Sequence, residues 1–403
     1  MIKLEDYIPI VGQSVIDDLR LIAARLKDKK IQNINSTSVG GGVAEILTRM
    51  TPLLQELGVD ARWDLIKGGE QFFGVTKKFH NALHGHPAEL SKKDFEVFLE
   101  TGQRNIDELE TAADIVFVHD PQPITLVKKK NNNRWIWRCH IDVSAPDEKV
   151  WNFLMDYIVR YDAAVFSAPS FSRRLPIRQF LISPSIDPLS DKNKELPEAV
   201  INKVLEKYQI PQDKPILTQI SRFDRLKDPL GVIEAYQEVK KHIDCRLILA
   251  GGGASDDPEG AMIFAQVMEK AKGDKDMHIL LLPQNDIEIN ALQRASTVII
   301  QKSIREGFGL TVAEALWKAK PVVASNVGGI PLQVTHKYSG LLCHSIDGAA
   351  FAIKQLLNSP AYALRLGENG KEHIRNNFLI TRHLRNYLLL FLSLYHQEDV
   401  VYL

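Results

Sequence analysis

A short glycine turn carries the clearest chemical signal in the sequence. In SIREGFGLTVAEAL (residues 303–316), a predicted strand ends near Ser303 and a helix starts near Leu310 and Thr311. Gly307, Phe308 and Gly309 form the turn between them, where a backbone with little side-chain bulk can approach a ligand closely. The free N–H groups and the positive end of the helix dipole would then face that ligand. The turn therefore predicts a phosphate-binding site.

Two glutamates flank the turn at positions from which both could contact one ligand. Glu306 precedes the turn, and Glu314 lies about one helical turn beyond it. Ionised carboxylates accept hydrogen bonds, so both side chains suit the hydroxyl groups of a sugar or a ribose. The alternative is a solvated glutamate pair on a surface helix. The turn between the two glutamates favours the ligand-binding interpretation.

A pair of cations follows another predicted strand in the same half of the chain. Arg222 and Lys227 stand five residues apart in ISRFDRLKDP (220–229). Two cations held beside a helix N-terminus can neutralise a diphosphate leaving group. A solvated basic loop is the alternative, and Arg225 between them shows that not every cation here needs a role. We predict that Arg222 and Lys227 bind phosphate.

The N-terminal half has a weaker glycine signal. NSTSVGGGVAEI (35–46) predicts a strand, a tight turn and a helix, in which Gly41 and Gly42 would let the backbone approach a ligand. The segment has neither the G-x-G-x-x-G order of a dinucleotide site nor the GK[ST] ending of a P-loop. A tight turn without any ligand remains the alternative.

Polar residues at two further strand ends complete the candidate set. His140 and Asp142 follow one apolar run, and His119, Asp120 and Gln122 end another. Most histidines in proteins are structural, and no three or four ligands have the spacing of a metal site. A nucleophile elbow or an activated cysteine is also absent from the sequence. We expect these five residues to lie near one another at the mouth of the N-terminal sheet.

The elements that must position these residues form two similar α/β halves. Apolar runs end in polar residues and alternate with helical stretches, which is typical of open parallel sheets that bind ligands at the carboxyl ends of their strands. The predicted strands are 31–36, 60–66, 113–120, 135–142 and 162–169, then 215–221, 246–252, 278–283, 296–303 and 321–326. The polar segment 185–199 between the two sets predicts a linker. We expect two Rossmann-like, doubly wound parallel-sheet domains facing a central cleft.

Composition narrows the class of protein. The 403 residues include 50 basic and 50 acidic side chains, so no net field favours nucleic acid or an anionic membrane. The sequence contains no apolar run of about 20 residues and no basic, apolar leader at its start. Its three cysteines, at positions 139, 245 and 343, are too far apart for a zinc motif. We expect a cytoplasmic protein without nucleic-acid or membrane partners.

Together these motifs resemble the retaining GT-B glycosyltransferases. Arg222 and Lys227 followed by Glu306 and Glu314 match that group's pattern. More narrowly, the chain resembles the trehalose glycosyltransferring synthases, which are related to the trehalose phosphorylases. The resemblance extends over roughly residues 30–380, through NSTSVGGGVAEIL, VHDPQP, WRCHID, SRFDRLKDP and SIREGFGLTVAEALWKAKPVVAS.

The resemblance implies a role for each matching residue on the donor side. Arg222 and Lys227 would hold the diphosphate of a nucleotide sugar, Glu314 the ribose hydroxyls, and Glu306 the glucosyl unit. Gly41 and Gly42 would close the donor site from the other domain, and the base would lie near Leu282 to Asn285. Backbone N–H groups would bind sugar hydroxyls and phosphate at Gly307, Phe308, Gly309, Leu310 and Thr311. No side chain there selects a base, so UDP, ADP and GDP stay open.

On the acceptor side, the resemblance places His140 beside the transferred glucose. His119, Asp120, Gln122 and Asp142 would form the acceptor pocket. It also implies domains over residues 1–185 and 186–379, with a C-terminal helix (380–403) that crosses back onto the first. The partners would be a nucleotide sugar and glucose or trehalose, and a homodimer is left open.

The expected reaction is metal-independent transfer of glucose to glucose, with retention of configuration and without a cofactor. The sequence has no metal cluster, so cations and a helix dipole would stabilise the leaving diphosphate. A covalent double displacement stays open. A trehalose phosphorylase is the alternative activity, and a nucleotide-sugar epimerase or a binding protein with the same fold is the alternative of another class.

Overall fold

The computed structural model describes residues 2–38, 41–86, 89–252, 258–282 and 285–396. The chain divides into two compact units. The first consists of Met1–Ser185 and Ile380–Leu403, and the second consists of Ile186–Leu379. Each unit is built around its own six-stranded sheet.

All neighbouring strands in the sheet of the first unit are parallel, in the order β2-β1-β3-β4-β5-β6. The central strands are fully buried because helices cover both faces of the sheet, and their sequences are correspondingly continuous apolar runs. The strands are β1 (Lys30–Asn35), β2 (Asp60–Leu65), β3 (Ile115–His119), β4 (Arg134–Cys139), β5 (Ala163–Phe166) and β6 (Arg178–Leu181).

The helices of the first unit come mainly from the N-terminal part of the chain. They are α1 (Ile8–Val11), α2 (Gln13–Ala24), α3 (Gly41–Glu56), α4 (Glu70–Leu83), α5 (Lys92–Glu108) and α6 (Glu148–Ile158), with 3-10 turns at Leu4–Tyr7, Ile124–Lys129 and Pro169–Phe171. The last helix of the chain, which we label α15 (Ile380–Ser393), packs against α2 and α3. Its buried side includes Leu384, Leu388 and Phe391.

The sheet of the second unit is also parallel, in the order β12-β11-β10-β7-β8-β9. Its strands are β7 (Ile216–Ile220), β8 (Arg246–Gly251), β9 (Met277–Leu281), β10 (Val298–Gln301), β11 (Val322–Ser325) and β12 (Leu341–Cys343). The helices are α7 (Glu198–Lys207), α8 (Pro229–Lys240), α9 (Pro258–Ala271), α10 (Asp286–Ala295), α11 (Leu310–Trp317), α12 (Ile330–Gln333), α13 (Ile346–Asn358) and α14 (Pro360–Asn377), and Arg225–Lys227 form a 3-10 turn.

Alternate residues of one strand in this sheet belong to two separate cores. Leu247 and Leu249 of β8 pack with residues of α8 and α13, whereas Ile248 and Ala250 pack with residues of α7 and α10. Because successive side chains of a strand point to opposite faces, helices must cover both faces of the sheet. The sheet is therefore doubly wound, as the alternation of apolar runs predicts.

Two strands and one segment differ from the sequence-based expectation. The edge strands β6 and β12 were not predicted, because β6 is half exposed and β12 has only three residues, so neither forms a long apolar run. The predicted linker is packed rather than free along much of its length. Asn193 is fully buried in it, and Asn290 of α10 donates hydrogen bonds to the carbonyls of Asp191 and Lys194.

The length and hydropathy of the described helices bear on a membrane role. No helix in the described ranges is both long enough and apolar enough to cross a bilayer.

Candidate active site

The order in which the chain adds strands to the second sheet reverses between β7 and β10. The chain passes from β7 to β8 and β9 on one side, and from β10 to β11 and β12 on the other. Such a switch point opens a crevice outside the strand ends, where ligands of α/β proteins bind. The loop after β7 carries Arg222 and Lys227, and the loop after β10 carries Glu306 and the glycine turn. The topology therefore brings the two strongest sequence motifs together.

An ion pair joins these two loops. Lys227 Nζ lies 2.6 Å from Glu306 Oε2, and their side chains are only 19% and 8% exposed. The same carboxylate oxygen accepts a hydrogen bond from Ser303 Oγ at 3.2 Å. Glu306 is thus fixed in place, and Lys227 is held against it.

Two glutamines near the strand ends hold these loops in place by hydrogen bonds. Sequence reasoning missed both. Gln219 Nε2 of β7 donates to the carbonyl oxygen of Lys227 at 2.7 Å. Gln301, the last residue of β10, donates to Ser303 Oγ at 2.9 Å and accepts from Thr311 Oγ1 at 3.1 Å. A polar residue near the end of an otherwise apolar strand is the signal that could have identified them.

The glycine turn fits closely against a second pair of glycines. Gly309 has a φ of 84° and is the N-cap residue of α11. It has no side chain that could cap the helix. A Cβ on Gly328 would lie 1.7 Å from the carbonyl oxygen of Glu306, and the N–H of Gly329 donates to the carbonyl of Gly307 at 3.1 Å. Gly328 and Gly329 were also missed. Because neither glycine has a side chain, their backbone packs directly against the backbone of the glycine turn, and this contact fixes the position of Glu306.

The helix α11 starts at Leu310, as predicted, and the remaining turn residues lie at its N-terminus. Phe308 points inward rather than toward a ligand, because its ring is buried and lies 5.5 Å from that of Phe378. The N–H groups of Leu310 and Thr311 lie at a helix end that no side chain among the described residues caps. This end of α11 can bind an anion.

Glu314 is almost completely buried on α11. Gln293 Nε2 lies 3.4 Å from its Oε2, and Lys192 Nζ lies 3.8 Å from its Oε1. Lys318, one turn further along, donates to Asn193 Oδ1 at 3.0 Å and to the carbonyl of Glu314 at 3.1 Å. Burial lowers the pKa of Lys318 to about 7, an effect that the nearby Glu314 opposes. Sequence reasoning found Glu314 but neither lysine.

Arg222 and Asn285 have other partners. Arg222 is exposed and its Nη2 lies 3.2 Å from Asp224 Oδ2, so only Lys227 of the two cations contacts Glu306. Asn285 caps α10, because its Oδ1 accepts from the N–H groups of Ile287 and Glu288. Pro283 and Gln284, in the middle of the expected base site, lie outside the described residues.

The sheet of the first unit has its own switch point, between β1 and β3. Gly41 and Gly42 begin α3, which follows β1, while Val39 and Gly40 lie outside the described residues. His119 ends β3, and His140 directly follows β4. The predicted acceptor residues therefore cluster at the carboxyl edge of this sheet.

Arg138 fixes the direction of a hydrogen-bond chain through the two histidines. Its Nε, which can only donate, lies 3.4 Å from His140 Nδ1, so this nitrogen must be the acceptor. His140 Nε2 then donates to His119 Nδ1 at 3.2 Å, and His119 Nε2 donates to Asn33 Oδ1 at 3.1 Å. We infer one tautomer for both rings from this network. Neither ring nitrogen of His140 is left to carry a proton to or from a substrate.

Burial keeps both imidazoles neutral. It lowers the pKa of His119 to about 3 and that of His140 well below its usual value, and in both cases the charge of Arg138 adds to the effect. His383 of α15, whose Nδ1 lies 2.9 Å from Ser185 Oγ, has its pKa lowered for the same two reasons. These three histidines and Arg138 form one buried polar group.

Asp120, Gln122 and Asp142 differ in what they offer a ligand. Asp120 Oδ1 accepts the N–H of His140 at 2.8 Å, and burial raises the pKa of this carboxyl to about 6. Asp142 Oδ1 accepts the N–H of Ser144 at 3.0 Å. Gln122 Oε1 is buried and has no hydrogen-bond partner among the described residues. Asp120 therefore positions His140, and Gln122 has a buried oxygen with unused hydrogen-bonding capacity among the described residues.

Within the described part of the chain, no group of three or more His, Cys, Asp or Glu side chains is arranged so that it could hold a metal ion.

Comparisons with known proteins identify the family. The family model described as "Trehalose synthase, N-terminal domain" matches residues 33–173, and that described as "Glycosyl transferases group 1" matches residues 200–373. The trehalose synthase of Thermococcus litoralis is 43% identical over 394 residues, which cover 96% of each chain. The trehalose phosphorylase of Pleurotus pulmonarius is 29% identical over 92% of this chain and 58% of its own length.

Solved structures identify the fold. The sucrose-phosphate synthase of Thermosynechococcus elongatus superposes with a TM-score of 0.72 at 19% identity, over 92% of this chain and 100% of that one. Together with the two parallel sheets, this likeness confirms the GT-B fold that the motifs predict.

The buried histidines predict a loss of stability in mild acid. His119, His140 and His383 take up protons on unfolding as the pH falls below about 6.5, whereas Asp120 releases one below about 6. The net uptake of about two protons should lower the free energy of unfolding by up to about 3 kcal/mol per pH unit. Urea titrations between pH 6.5 and 5, followed by tryptophan fluorescence, measure this loss.

Replacing one histidine tests whether the buried histidines cause this loss of stability. His383→Gln should reduce the proton uptake on unfolding, and so the slope of the unfolding free energy with pH, by the equivalent of about one proton. His242→Gln, at an exposed position, should leave that slope unchanged. A wild-type protein with the same stability at pH 6.5 and pH 5 would contradict this account.

Proposed function

The chain belongs to the trehalose synthase family of glycosyltransferases, and from that premise we propose that it transfers glucose from a nucleoside diphosphate donor to free glucose. The product would be trehalose, formed with retention of configuration and without a metal ion. The reverse reaction would use the same groups.

One observation carries this proposal: a lysine–glutamate pair beside an uncapped helix N-terminus, at the switch point of the second sheet. Lys227 supplies a cation for a phosphate, and Glu306 supplies an acceptor for a sugar hydroxyl. Lys227 Nζ and Glu306 Oε2 lie 2.6 Å apart. A glycosyl diphosphate carries both groups side by side. The positive end of α11 adds a second source of attraction for the phosphates.

The chemistry needs a stabilised leaving group and a destination for one proton. The acceptor oxygen bonds to C1 of glucose as the bond from C1 to the diphosphate oxygen breaks. The acceptor's proton passes to that departing oxygen, on the same face of the sugar, so the configuration is retained. Lys227, Arg222 and the α11 dipole would stabilise the negative charge that develops on the diphosphate.

We assign the acceptor side to the first unit. His140, His119, Asp120, Gln122 and Asp142 are the proposed residues, with Gln122 offering the unused acceptor atom. His140 has both ring nitrogens bonded, so we propose that it orients the sugar and takes no part in proton transfer. A direct bond from its ring to a sugar hydroxyl would have to replace one of these partners.

Phosphorolysis of trehalose is the second candidate, because trehalose phosphorylases are relatives over most of this chain. In that reaction orthophosphate would bind near Lys227 and take up the glucosyl group as glucose 1-phosphate. Nearly the same residues would serve both reactions, so the products must decide between them.

Product analysis by NMR tests the proposal. The protein should form trehalose from glucose and at least one of UDP-, ADP- or GDP-glucose, with excess chelator present throughout. Trehalose and phosphate without nucleotide should give no glucose 1-phosphate. Glucose 1-phosphate in that second mixture would favour the phosphorylase, and activity only with added Mg²⁺ or Mn²⁺ would disprove the metal-independent mechanism.

Removing the central cation should slow transfer strongly. Lys227→Met keeps most of the length of the side chain but removes its charge, and Arg222→Ala removes the second cation. Each should cost about 2.7–4 kcal/mol of transition-state stabilisation, or roughly 10²- to 10³-fold in kcat/KM. Steady-state kinetics with the preferred donor measure this effect.

A matched ion pair supplies the control. Lys240 pairs with Asp276 at the amino-terminal edge of the same sheet, and its side chain is similarly half-buried. Lys240→Met should lower stability without slowing transfer. Near-normal turnover in folded Lys227→Met and Arg222→Ala would show that the diphosphate is held elsewhere.

A further inference from the structure

A second ion pair joins the loop after β7 to the loop after β10. Lys302, which directly follows β10, contacts the carboxylate of Asp228, and the two side chains are only 12% and 20% exposed. Asp228 is the residue after Lys227. A backbone hydrogen bond also connects the loops, from the N–H of Ile304 to the carbonyl of Leu226 at 2.7 Å. The loops therefore have two links in addition to the ion pair described above.

Asp228 has an unusual backbone conformation. Its φ is 49° and its ψ is 53°, in the left-handed region that favours glycine and, to a lesser extent, Asn and Asp. At this residue the chain leaves the 3-10 turn Arg225–Lys227 and enters α8. Both carboxylate oxygens are bonded, because Oδ1 accepts the N–H of Gly231 at 3.1 Å and Oδ2 contacts Lys302. The ion pair with Lys302 thus helps to hold the backbone next to Lys227.

Donor binding would weaken the contact between Lys227 and Glu306. In the proposed site the ammonium of Lys227 turns to a phosphate, and the carboxylate of Glu306 accepts from a sugar hydroxyl. Each group would then exchange part of its attraction for the other against the ligand. A charge pair outside the ligand's contacts keeps the loops together in both states. The pair of Lys302 and Asp228 suits this role, because water screens a mostly buried pair only weakly.

We propose that Lys302 and Asp228 are positioning residues, which keep the ammonium of Lys227 directed at the diphosphate of the bound donor. Lys302 acts through Asp228, whose backbone conformation sets the direction of the preceding residue. This inference rests on the proposed function, because it takes Lys227 as a phosphate-binding residue. It implies that the kinetic effect of removing the pair depends on the presence of Lys227.

A double-mutant cycle in kcat/KM for the preferred nucleoside diphosphate-glucose tests the inference. Lys302→Met should lower kcat/KM about tenfold to a hundredfold, because a displacement of about 1 Å near the reacting groups can cost a hundredfold. In a protein that already contains Lys227→Met, Lys302→Met should have little further effect, since the group that it positions is gone. A purely structural role would instead lower kcat/KM by the same factor in both proteins.

Two further variants and a control accompany the cycle. Asp228→Asn removes the charge but keeps a residue type that caps helices and tolerates the left-handed conformation, so it should act like Lys302→Met. Lys302→Arg keeps the charge and should restore most of kcat/KM. Lys270→Met breaks an ion pair between α9 and Glu234 of the same helix α8, and it should leave kcat/KM unchanged.

The outcomes separate this inference from the function on which it rests. Normal kcat/KM in folded Lys302→Met, an equal loss with and without Lys227→Met, or a loss of the same size in Lys270→Met overturns the positioning role and leaves glucose transfer intact. A wild-type protein that transfers glucose from no nucleoside diphosphate donor overturns both. Thermal unfolding shows whether each variant is folded, and Asp228→Asn takes the place of Lys302→Met in the cycle if the latter is unstable.

Discussion

The ion pair between Lys227 and Glu306 is the constraint on which the candidate active site depends. An ammonium and a carboxylate with less than a fifth of their side chains exposed must lose most of their hydration, and that loss is recovered only when their geometry is maintained. Removing one partner would leave the other charge poorly hydrated and unpaired, so the ion pair holds the two loops to one arrangement. The pair forms because β7 and β10 are neighbours at a switch point, although 79 residues separate the two side chains in the sequence.

The surrounding residues can be understood as supports for that pair. Gln219 holds the backbone of Lys227, while Ser303 and Gln301 hold the loop of Glu306. Behind them, the absence of side chains at Gly328 and Gly329 lets a second backbone pack against the glycine turn. Rigid supports of this kind suit a site that stabilises charge by preorganisation, because groups already in position need not be reoriented during the reaction. In the first unit Arg138 has the corresponding role for the neutral histidines.

Much of the fold was predictable from the sequence, because buried parallel strands are apolar runs and their ends are polar. The motif residues at strand ends, such as Glu306 and His119, were found for the same reason. The supports were not found, since a buried glutamine such as Gln301 or a glycine such as Gly328 takes its role from a contact with a distant residue. The edge strand β6 was missed because its half-exposed sequence has no apolar run. Lys192 was missed because its segment is polar and was interpreted as a linker, whereas hydrogen bonds from α10 and α11 hold it in place.

The central claim is that Lys227 and Glu306 together receive the diphosphate and the sugar of one donor. A crystal structure of the protein with its preferred nucleoside diphosphate-glucose tests this most directly. The account predicts phosphate oxygens within hydrogen-bonding distance of Lys227 Nζ and Arg222, the N–H groups at the start of α11 facing the phosphates, and Glu306 bonded to a glucose hydroxyl. A donor bound away from the carboxyl ends of β7 and β10, with the Lys227–Glu306 pair untouched, would contradict it.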